Sequence, residues 1–260
     1  LYNSGNALDA TTHSESSNLK GYWRNNGLAT WTDLKGSNDG TPTSLTETLL
    51  LPAGVDGSRD NQGFLMNRQK DTNALNLTSD EEYVNLGNTN NLGTADFSIS
   101  AWVQRNDTTE KFEIISKDID ANSHWYLRIA ASEALNFYCK VGGAHRQKLI
   151  TDASAVPADT NWHHIVVVQD RDADANCKFY VDGSHITVDY DEGNTESSEA
   201  TTDTLDNTGD MRIGSWYGEG GSYEYFSNGK IDDVLLYDKA LSASEVTRIY
   251  NAGKRSHRNG

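Results

Sequence analysis

The sequence predicts an all-β fold, an antiparallel β-sandwich of the jelly-roll kind with one short helix near its carboxyl-terminal end. Three observations support this prediction. The 260 residues include 6 Trp, 12 Tyr and 6 Phe, rings that drive burial and are scarce in disordered acidic chains. The 22 Gly and only 3 Pro indicate many turns. Short apolar runs recur between those turns, at the spacing typical of sandwiches.

The predicted strands are short runs of apolar and aromatic residues. In one of them Phe97, Ile99, Ala101 and Val103 alternate with polar or larger residues, which indicates an antiparallel strand with one buried face. The runs are, in order, Tyr83–Leu86, Phe97–Val103, Phe112–Ser116, Trp125–Ile129, Leu135–Val141, Leu149–Thr151, Trp162–Gln169, Phe179–Val181, Met211–Ile213 and Ile231–Tyr237.

One helix is predicted after the last strand. Ser242 and Glu245 have the spacing of a capping box, in which each residue bonds the backbone of the other. Val246 and Ile249 begin an apolar stripe, and Gly253 stands where a helix is expected to end. We expect this helix to seal an edge of the sandwich.

A single domain is the simplest organisation. Residues 1–20 are rich in Asn, Ser and Thr and are interpreted as a linker or docking arm. Residues 21–253 form the domain, and residues 254–260 are a basic tail expected to be solvated and frayed. Cys139 and Cys177 are too few for a disulfide framework, and we expect two separate buried thiols.

Charge argues against one class of partner, and hydropathy against another. The chain has 38 acidic and 22 basic residues, a formal net charge of −16. Nucleic-acid binding depends on Lys and Arg that neutralise phosphates, so it is not expected. Membrane insertion is not expected either, because no stretch approaches the roughly 20 apolar residues that cross a bilayer.

Several segments, taken together and in order, resemble a known family. They are Phe97–Val103, Ile114–Lys117, Trp162–Val168 with Phe179–Gly183, and Asn228–Ser242. They are similar to the laminin-G-like jelly-roll domains of the concanavalin A-like lectin and glucanase superfamily. The resemblance implies a non-catalytic module that binds glycans or proteins, often with calcium. Residues 21–40 resemble the first block of such domains in bacteriophage structural proteins.

No catalytic constellation is evident in the sequence. A retaining glycosidase of this superfamily needs two carboxylates about 5 Å apart, and no E-x-D-x-E alternation is present. His163 and His164 are adjacent on a strand and therefore point to opposite faces, and His164 is interpreted as a core histidine. A lyase that assembles Tyr, His, Arg and Asn from several strands stays open as an alternative.

Asp232 is the main candidate for a calcium ligand. It shares alternation with Val234 and Leu236, which would turn its carboxylate inward, and a buried unpaired carboxylate costs several kcal/mol. In the resembled family, an acidic residue here often holds an ion with the amino-terminal segment. The corresponding residues are Asp33, Asn38 and Asp39. Hydrogen bonds from backbone amides or from Arg24 are the alternative.

Two further segments show the D-x-D-x-N alternation that begins a calcium loop. One contains Asp118, Asp120 and Asn122, and the other is Asp170–Asn176. Both also suit ordinary hairpin tips, where Asp and Asn are favoured.

Alternation also predicts a ligand-binding face. If Trp125 and Leu127 point into the core, their neighbours point out. The outward residues on this strand and the next are Tyr126, Arg128, Asn136, Tyr138 and Lys140. Such a surface suits stacking on sugar rings and hydrogen bonding to hydroxyls or acidic groups. A second candidate is an aromatic, Gly-rich loop that contains Trp216, Tyr217 and Tyr223.

The sequence therefore predicts a calcium-stabilised carbohydrate-binding module of an extracellular or virion-surface protein. Its partner would be a glycan or a cell-surface polysaccharide, with homo-oligomers or virion proteins as possible further partners. The alternative is a decoration domain of a phage capsid or tail without a sugar ligand, and a polysaccharide lyase or glycosidase is the third interpretation.

Overall fold

The structure is a computed structural model, and it describes residues 11, 16–23, 33–43, 75–77, 82–120, 122–172, 177–189, 204–217, 223–254 and 256–257. It contains two antiparallel sheets and one α-helix, which confirms the predicted β-sandwich. A 3-10 turn at Ser16–Asn18 precedes the first strand.

One sheet has seven strands. They are β1 (Leu19–Trp23), β3 (Leu75–Leu77), β5 (Phe97–Arg105), β10 (Trp162–Gln169), β11 (Lys178–Val181), β12 (Ser184–Ile186) and β17 (Gly229–Tyr237). Their order is β1, β17, β5, β10, β11 and β12, and β3 pairs with β17.

The other sheet has eight strands. They are β2 (Thr41–Thr43), β4 (Tyr83–Gly87), β6 (Phe112–Asp120), β7 (Ser123–Ile129), β8 (Leu135–Val141), β9 (Ala144–Thr151), β13 (Val188–Asp189) and β14 (Asp210–Ile213). Their order is β13, β9, β8, β7, β6, β14, β4 and β2. A small hairpin joins β15 (Trp216–Tyr217) to β16 (Tyr223–Glu224).

Every predicted run coincides with a strand, and the strands are the same length or longer. The main difference lies at the start, where β1 begins at Leu19 inside the predicted linker and pairs with β17. The strands that the sequence did not predict are mostly two or three residues long, too short for alternation to show.

Two apolar clusters hold these layers together. The larger one lies between the sheets and includes Trp23, Phe97, Trp125 and Phe137, all at most 2% exposed. The smaller one covers the opposite face of the seven-stranded sheet and includes Val166 and Val168. Residues that alternate along β10 therefore pack on different sides of the sheet, and both sides are buried.

The helix α1 (Ala243–Gly253) builds the outer cluster. Both bonds of the predicted Ser242 and Glu245 capping box are present. Val246 and Ile249 pack against the sheet with Tyr237, so the helix covers a sheet face, where the sequence had suggested an edge. The prediction that Gly253 caps the helix is wrong, because Gly253 is its last residue and Lys254 is the cap.

Gly253 has a different role, which gives a testable prediction. A Cβ at this position would lie 2.3 Å from Nε1 of Trp102. We expect Gly253→Ala to lower the melting temperature by several degrees, since overpacking costs about 1–3 kcal/mol and outweighs the roughly 1 kcal/mol by which Ala favours a helix. Asn251→Ala, at an exposed position of the same helix, is the control. A Gly253→Ala protein that melts at or above wild type would contradict this packing.

The described part of the basic tail is not frayed. Ser256 and His257 are each 4% exposed, which corrects the prediction of a solvated tail at these positions. The His257 ring stacks on Trp102 at a centroid distance of 4.4 Å. The run of basic residues had suggested a solvated tail. Sequence alone could not show that Trp102 and Asp232 form a buried binding position for the imidazole.

The neighbouring histidines behave as predicted. His164 is fully buried and its Nε2 lies 2.8 Å from Oγ of Ser100, while burial lowers its pKa to about 3 and keeps the ring neutral. His163 instead lies between the carboxylates of Asp182 and Asp159.

Cys139 and Cys177 are buried thiols that form no disulfide, as predicted. Cys139 belongs to the eight-stranded sheet, whereas Cys177 directly precedes β11 of the other sheet. The described residues include no helix with the length and apolar character that a membrane span requires.

Candidate functional site

The site is built on the outer face of strands β6 to β9. Their pairing lines up side chains in rows across the sheet, which lie two residues apart along β7, β8 and β9 and three apart along β6, where the register shifts. One row consists of Glu113, Arg128, Asn136 and Ile150, and the next of Ser116, Tyr126, Tyr138 and Lys148. The register thus places the predicted outward residues of β7 and β8 side by side.

Stacked aromatic rings form the floor of the site. The rings of Tyr126 and Tyr138 lie 5.3 Å apart, inclined by 22°. His124, one row further along, stacks on Tyr138 at 5.4 Å. Such offset stacking fixes the rings in place.

Trp216 forms a wall over this floor. Strand β14 pairs with β6, and the chain then turns so that Trp216 meets Tyr126 edge-on at 5.7 Å. Tyr225 stacks on the other side of the indole at 5.6 Å. The two predicted ligand surfaces, the sheet face and the aromatic loop, are therefore one site.

This covering corrects the expectation of an open sheet face. Tyr126 is only 9% exposed and Trp216 only 7% exposed. The space that remains is a cavity of about 340 Å³, in the lower part of the roughly 300–1,000 Å³ range of small-molecule sites. Its lining consists of Lys111, His124, Tyr126, Arg128, Asn136, Phe137, Tyr138, Lys148, Ile150, Trp216 and Tyr225. We call it the aromatic pocket.

Arg128 ties the pocket to a buried carboxylate. Its guanidinium lies 3.6 Å from the ring centroid of Tyr126 and donates to Oε1 of Glu113 at 3.1 Å. Glu113 is fully buried, and this burial raises its pKa to about 7 although the Arg128 charge acts in the opposite direction. Arg128 therefore faces a carboxylate that is only partly ionised near neutral pH.

The raised pKa of Glu113 predicts a pH dependence of stability. Between about pH 4.5 and pH 7 the folded state holds a proton that the unfolded state has lost, so the free energy of unfolding falls as pH rises through this window and levels off above it. The shift corresponds to roughly 3 kcal/mol. We expect Glu113→Gln to remove this part of the slope in urea unfolding at pH 5 and pH 7.5. Glu110→Gln, at an exposed position, is the control, and an unchanged slope in Glu113→Gln would contradict the assignment.

Two further predicted ligand residues, Lys140 and Tyr217, lie nearby but do not line the pocket. Lys140 pairs with His124 on the same sheet face and does not line the cavity. Tyr217 faces Arg212, with 5.5 Å between its ring centroid and the guanidinium carbon. The Tyr223 backbone pairs with Tyr217 in the small hairpin, and its side chain lies outside the described residues.

Six residues that line the pocket were not among the predicted ligand residues: Lys111, His124, Phe137, Lys148, Ile150 and Tyr225. His124 has the same alternation as Tyr126, but the predicted strand started one residue too late to include it. Lys111 and Lys148 each stand just before a predicted strand, and Tyr225 lies in the aromatic loop. Longer strand predictions would have found His124 and Lys148.

The candidate calcium residues of the amino-terminal turn bond to backbone amides. Asp33 accepts hydrogen bonds from the amides of Tyr22 and Lys35 at 3.0 Å each. Asp39 accepts from the amide of Asp33, and the backbone oxygen of Asn38 accepts from Nε1 of Trp23. These contacts shape the turn.

The segment with Asp118, Asp120 and Asn122 forms the hairpin between β6 and β7, the alternative that the sequence left open. Asp118 is buried, bonded to Arg212 at 2.8 Å, and burial raises its pKa. Asp120 accepts from the amide of Asn122 at 2.8 Å, as hairpin-tip Asp residues commonly do.

The alternation assumed for Asp232 is wrong. The register of β17 shifts between Asp232 and Leu235, and Asp233 has a positive φ of 45°. This bulge places Asp232 opposite Trp102, away from the core that holds Val234. Its carboxylate accepts from the Asp233 amide at 2.8 Å and lies 3.1 Å from Nε2 of His257.

Calcium binding stays a prediction, and chelation tests it. Among the described residues, acidic and imidazole groups converge in two places, one made of Asp232, Asp233 and His257 and the other of Asp96, Asp170 and Asp172. Calcium prefers oxygen ligands, so the imidazole makes the first set a poor fit. An ion held by the fold should make EDTA lower the melting temperature by at least about 5 °C. Identical melting temperatures in calcium and in EDTA would show that the Asp232 carboxylate interacts with protein groups and not with an ion.

Comparison with known proteins identifies the family. The family described as the concanavalin A-like lectin/glucanases superfamily matches residues 78–247. The chain belongs to this superfamily. The match includes β4 to β17 and all the residues that line the aromatic pocket. No curated protein sequence matches the chain.

Solved structures with a similar fold include binding domains of botulinum neurotoxins. One, the binding domain of neurotoxin DC in complex with rat synaptotagmin II, has a TM-score of 0.60 and 16% identity over 93% of this chain and 53% of that chain. Another, the serotype D ligand-binding domain in complex with N-acetylneuraminic acid, has a TM-score of 0.57 and 17% identity over 92% and 52%. The chain spans about half the length of these structures. At such identities the likeness shows the fold.

Proposed function

We propose that this domain is a non-catalytic carbohydrate-binding module and that the glycan binds in the aromatic pocket. The observation that carries the proposal is the combination of stacked rings with polar groups around one cavity. Tyr126, Tyr138 and Trp216 offer faces to the apolar side of a sugar ring. Arg128 and Asn136 line the same cavity and can bond to hydroxyl groups.

The comparisons support this proposal. The superfamily is named for lectins as well as for glucanases. The similar solved structures are binding domains, one in complex with a protein and another with N-acetylneuraminic acid. These similar structures, together with the pocket in this domain, favour a binding role.

The chemistry of the pocket argues against a retaining glycosidase. Retaining hydrolysis needs a nucleophile and an acid/base carboxylate about 5 Å apart. None of the described residues that line the pocket is acidic, and Glu113 behind them is bonded to Arg128. The pocket can therefore hold a sugar but lacks the pair of carboxylates that would cleave it.

We further propose that the module works at an extracellular surface, including that of a virion, where glycans and cell-surface polysaccharides are the available partners. A structural calcium ion belongs to the same proposal.

Glycan binding can be tested directly. Intrinsic tryptophan fluorescence during titration with an oligosaccharide panel should report saturable binding, because Trp216 lines the pocket. The same mixtures, after long incubation, should contain no new reducing ends and no unsaturated products. Absence of binding across the panel, together with a stable oligomer in solution, would favour a structural role. Product release would establish an enzyme.

A further inference from the structure

The aromatic pocket carries a charge opposite to that of the protein. The chain has a formal net charge of −16, yet Lys111, Arg128 and Lys148 all line this one cavity. They come from three positions along the chain, before β6, within β7 and within β9. Among the described lining residues there is no acidic side chain. The local surplus of positive charge is therefore a feature of the pocket.

Two of the three cations, Lys111 and Arg128, lie against aromatic rings. The Lys111 ammonium lies 3.8 Å from the ring centroid of Tyr225, and the Arg128 guanidinium carbon lies 5.6 Å from the centroids of Tyr225 and Trp216. These cation–π contacts hold the cations in place without neutralising them. Glu113 contacts a single guanidinium nitrogen of Arg128, at a distance of 3.1 Å.

Several buried polar atoms of the pocket lack a partner among the described residues. Nε of Arg128, Oδ1 of Asn136 and Nε1 of Trp216 belong to lining residues, and Oε2 of Glu113 lies behind the pocket. Buried polar groups are normally bonded to protein, to water or to a ligand. Nε of Arg128 and Nε1 of Trp216 are donors that can serve only an acceptor, and Arg128 is 92% buried by its 8% exposure.

We propose that the aromatic pocket selects sugars that carry an anionic substituent, a carboxylate or a sulfate. This inference rests on the proposed glycan binding and specifies its ligand class. The sugar ring packs against the aromatic floor, and its anionic group lies between the cations, with Arg128 as the central donor. Arginine suits this task because its planar guanidinium bonds two acceptor oxygens at once.

Burial strengthens the attraction between the pocket cations and a bound anion. The pocket walls are aromatic and Arg128 is nearly buried, so an anion entering it meets positive charge in surroundings less polar than water. A neutral sugar gains only the stacking and the hydroxyl bonds. The binding constants for matched acidic and neutral sugars should therefore differ by at least tenfold.

Matched sugars test the inference separately from the proposed function. The probes are lactose with sialyllactose and sulfated lactose, and galactotriose with trigalacturonate, all titrated by calorimetry at low salt. We expect the acidic member of a set to bind at least tenfold tighter, and its affinity to fall when sodium chloride is raised from about 0.05 M to 0.5 M. Comparison of sialyllactose with sulfated lactose separates carboxylate from sulfate.

The outcomes are distinct. Equal affinity within each set would overturn the charge selection and leave glycan binding intact. No binding of any probe would count against both proposals. Tighter binding of the acidic sugars would support both.

Substitutions test which side chains cause the preference for acidic sugars. Lys111→Gln, at a half-buried position without an ion pair to lose among those described, should reduce the preference for acidic over neutral sugars at least threefold. The paired change Arg128→Gln with Glu113→Gln removes both buried charges together and should abolish the preference. Lys140→Gln, on the same sheet face outside the pocket, is the matched control. A preference that survives both pocket variants would overturn the assignment of the anion site.

Discussion

Trp216→Ala is expected to weaken glycan binding by at least tenfold. Trp216 forms the wall of the aromatic pocket, 5.7 Å from Tyr126 and 5.6 Å from Tyr225. Buried aromatic residues at the centre of a binding site often contribute 2 kcal/mol or more, about thirtyfold in affinity. Calorimetric titration with the tightest-binding oligosaccharide measures the change.

Tyr217→Ala is the matched control, because Tyr217 is the next residue in the chain but faces Arg212 outside the pocket. It should bind the glycan as wild type does. If Trp216→Ala fails to fold, Tyr225→Ala removes the more exposed neighbour of the indole and should still weaken binding. Unchanged affinity in a folded Trp216→Ala protein would place the glycan elsewhere.

The second large effect concerns stability. Arg128→Met should destabilise the domain by about 3–5 kcal/mol at pH 8, because it leaves the fully buried Glu113 carboxylate without its cation. For a chain of this size that is a fall of roughly 6–20 °C in melting temperature. At pH 5 the loss should be smaller by about 1.4 kcal/mol, since Glu113, with a pKa raised to about 7, then carries a proton in the wild type as well.

Two comparisons check this result. Arg248→Met removes an exposed arginine at the edge of ion-pair distance from Glu245 and should change stability by less than about 0.5 kcal/mol. Adding Glu113→Gln to Arg128→Met should restore part of the stability at pH 8. Equal destabilisation at pH 5 and pH 8 would show that lost packing, and not the unpaired carboxylate, is responsible.

Local pattern was sufficient for most of the fold. Alternation in Phe97–Val103 and the S-x-x-E pair of Ser242 and Glu245 depend only on neighbours in sequence, and both predicted elements are present. The bulge at Asp233 was not visible, because a single residue with positive φ reverses alternation without any signature in side-chain type. The prediction that Asp232 points into the core failed for this reason.

Only the part of the candidate site that depends on local sequence pattern was predictable. Tyr126 and Tyr138 are neighbours because β7 and β8 form a hairpin, a local arrangement that alternation can indicate. Trp216 reaches them only because β14 pairs with β6, about 95 residues earlier in the chain. The sequence pattern indicated both the tyrosines of the sheet face and the tryptophan of the loop. It could not show that they are in contact, since pairing between distant strands depends on the whole sheet.

A crystal structure of the domain with its tightest-binding oligosaccharide tests the central claim most directly. The account predicts a sugar ring stacked within about 4 Å of Tyr126, Tyr138 or Trp216, the distance of van der Waals contact. It also predicts that Arg128 donates a hydrogen bond to the sugar. A glycan bound at another face of the sandwich, with the aromatic pocket empty, would contradict it.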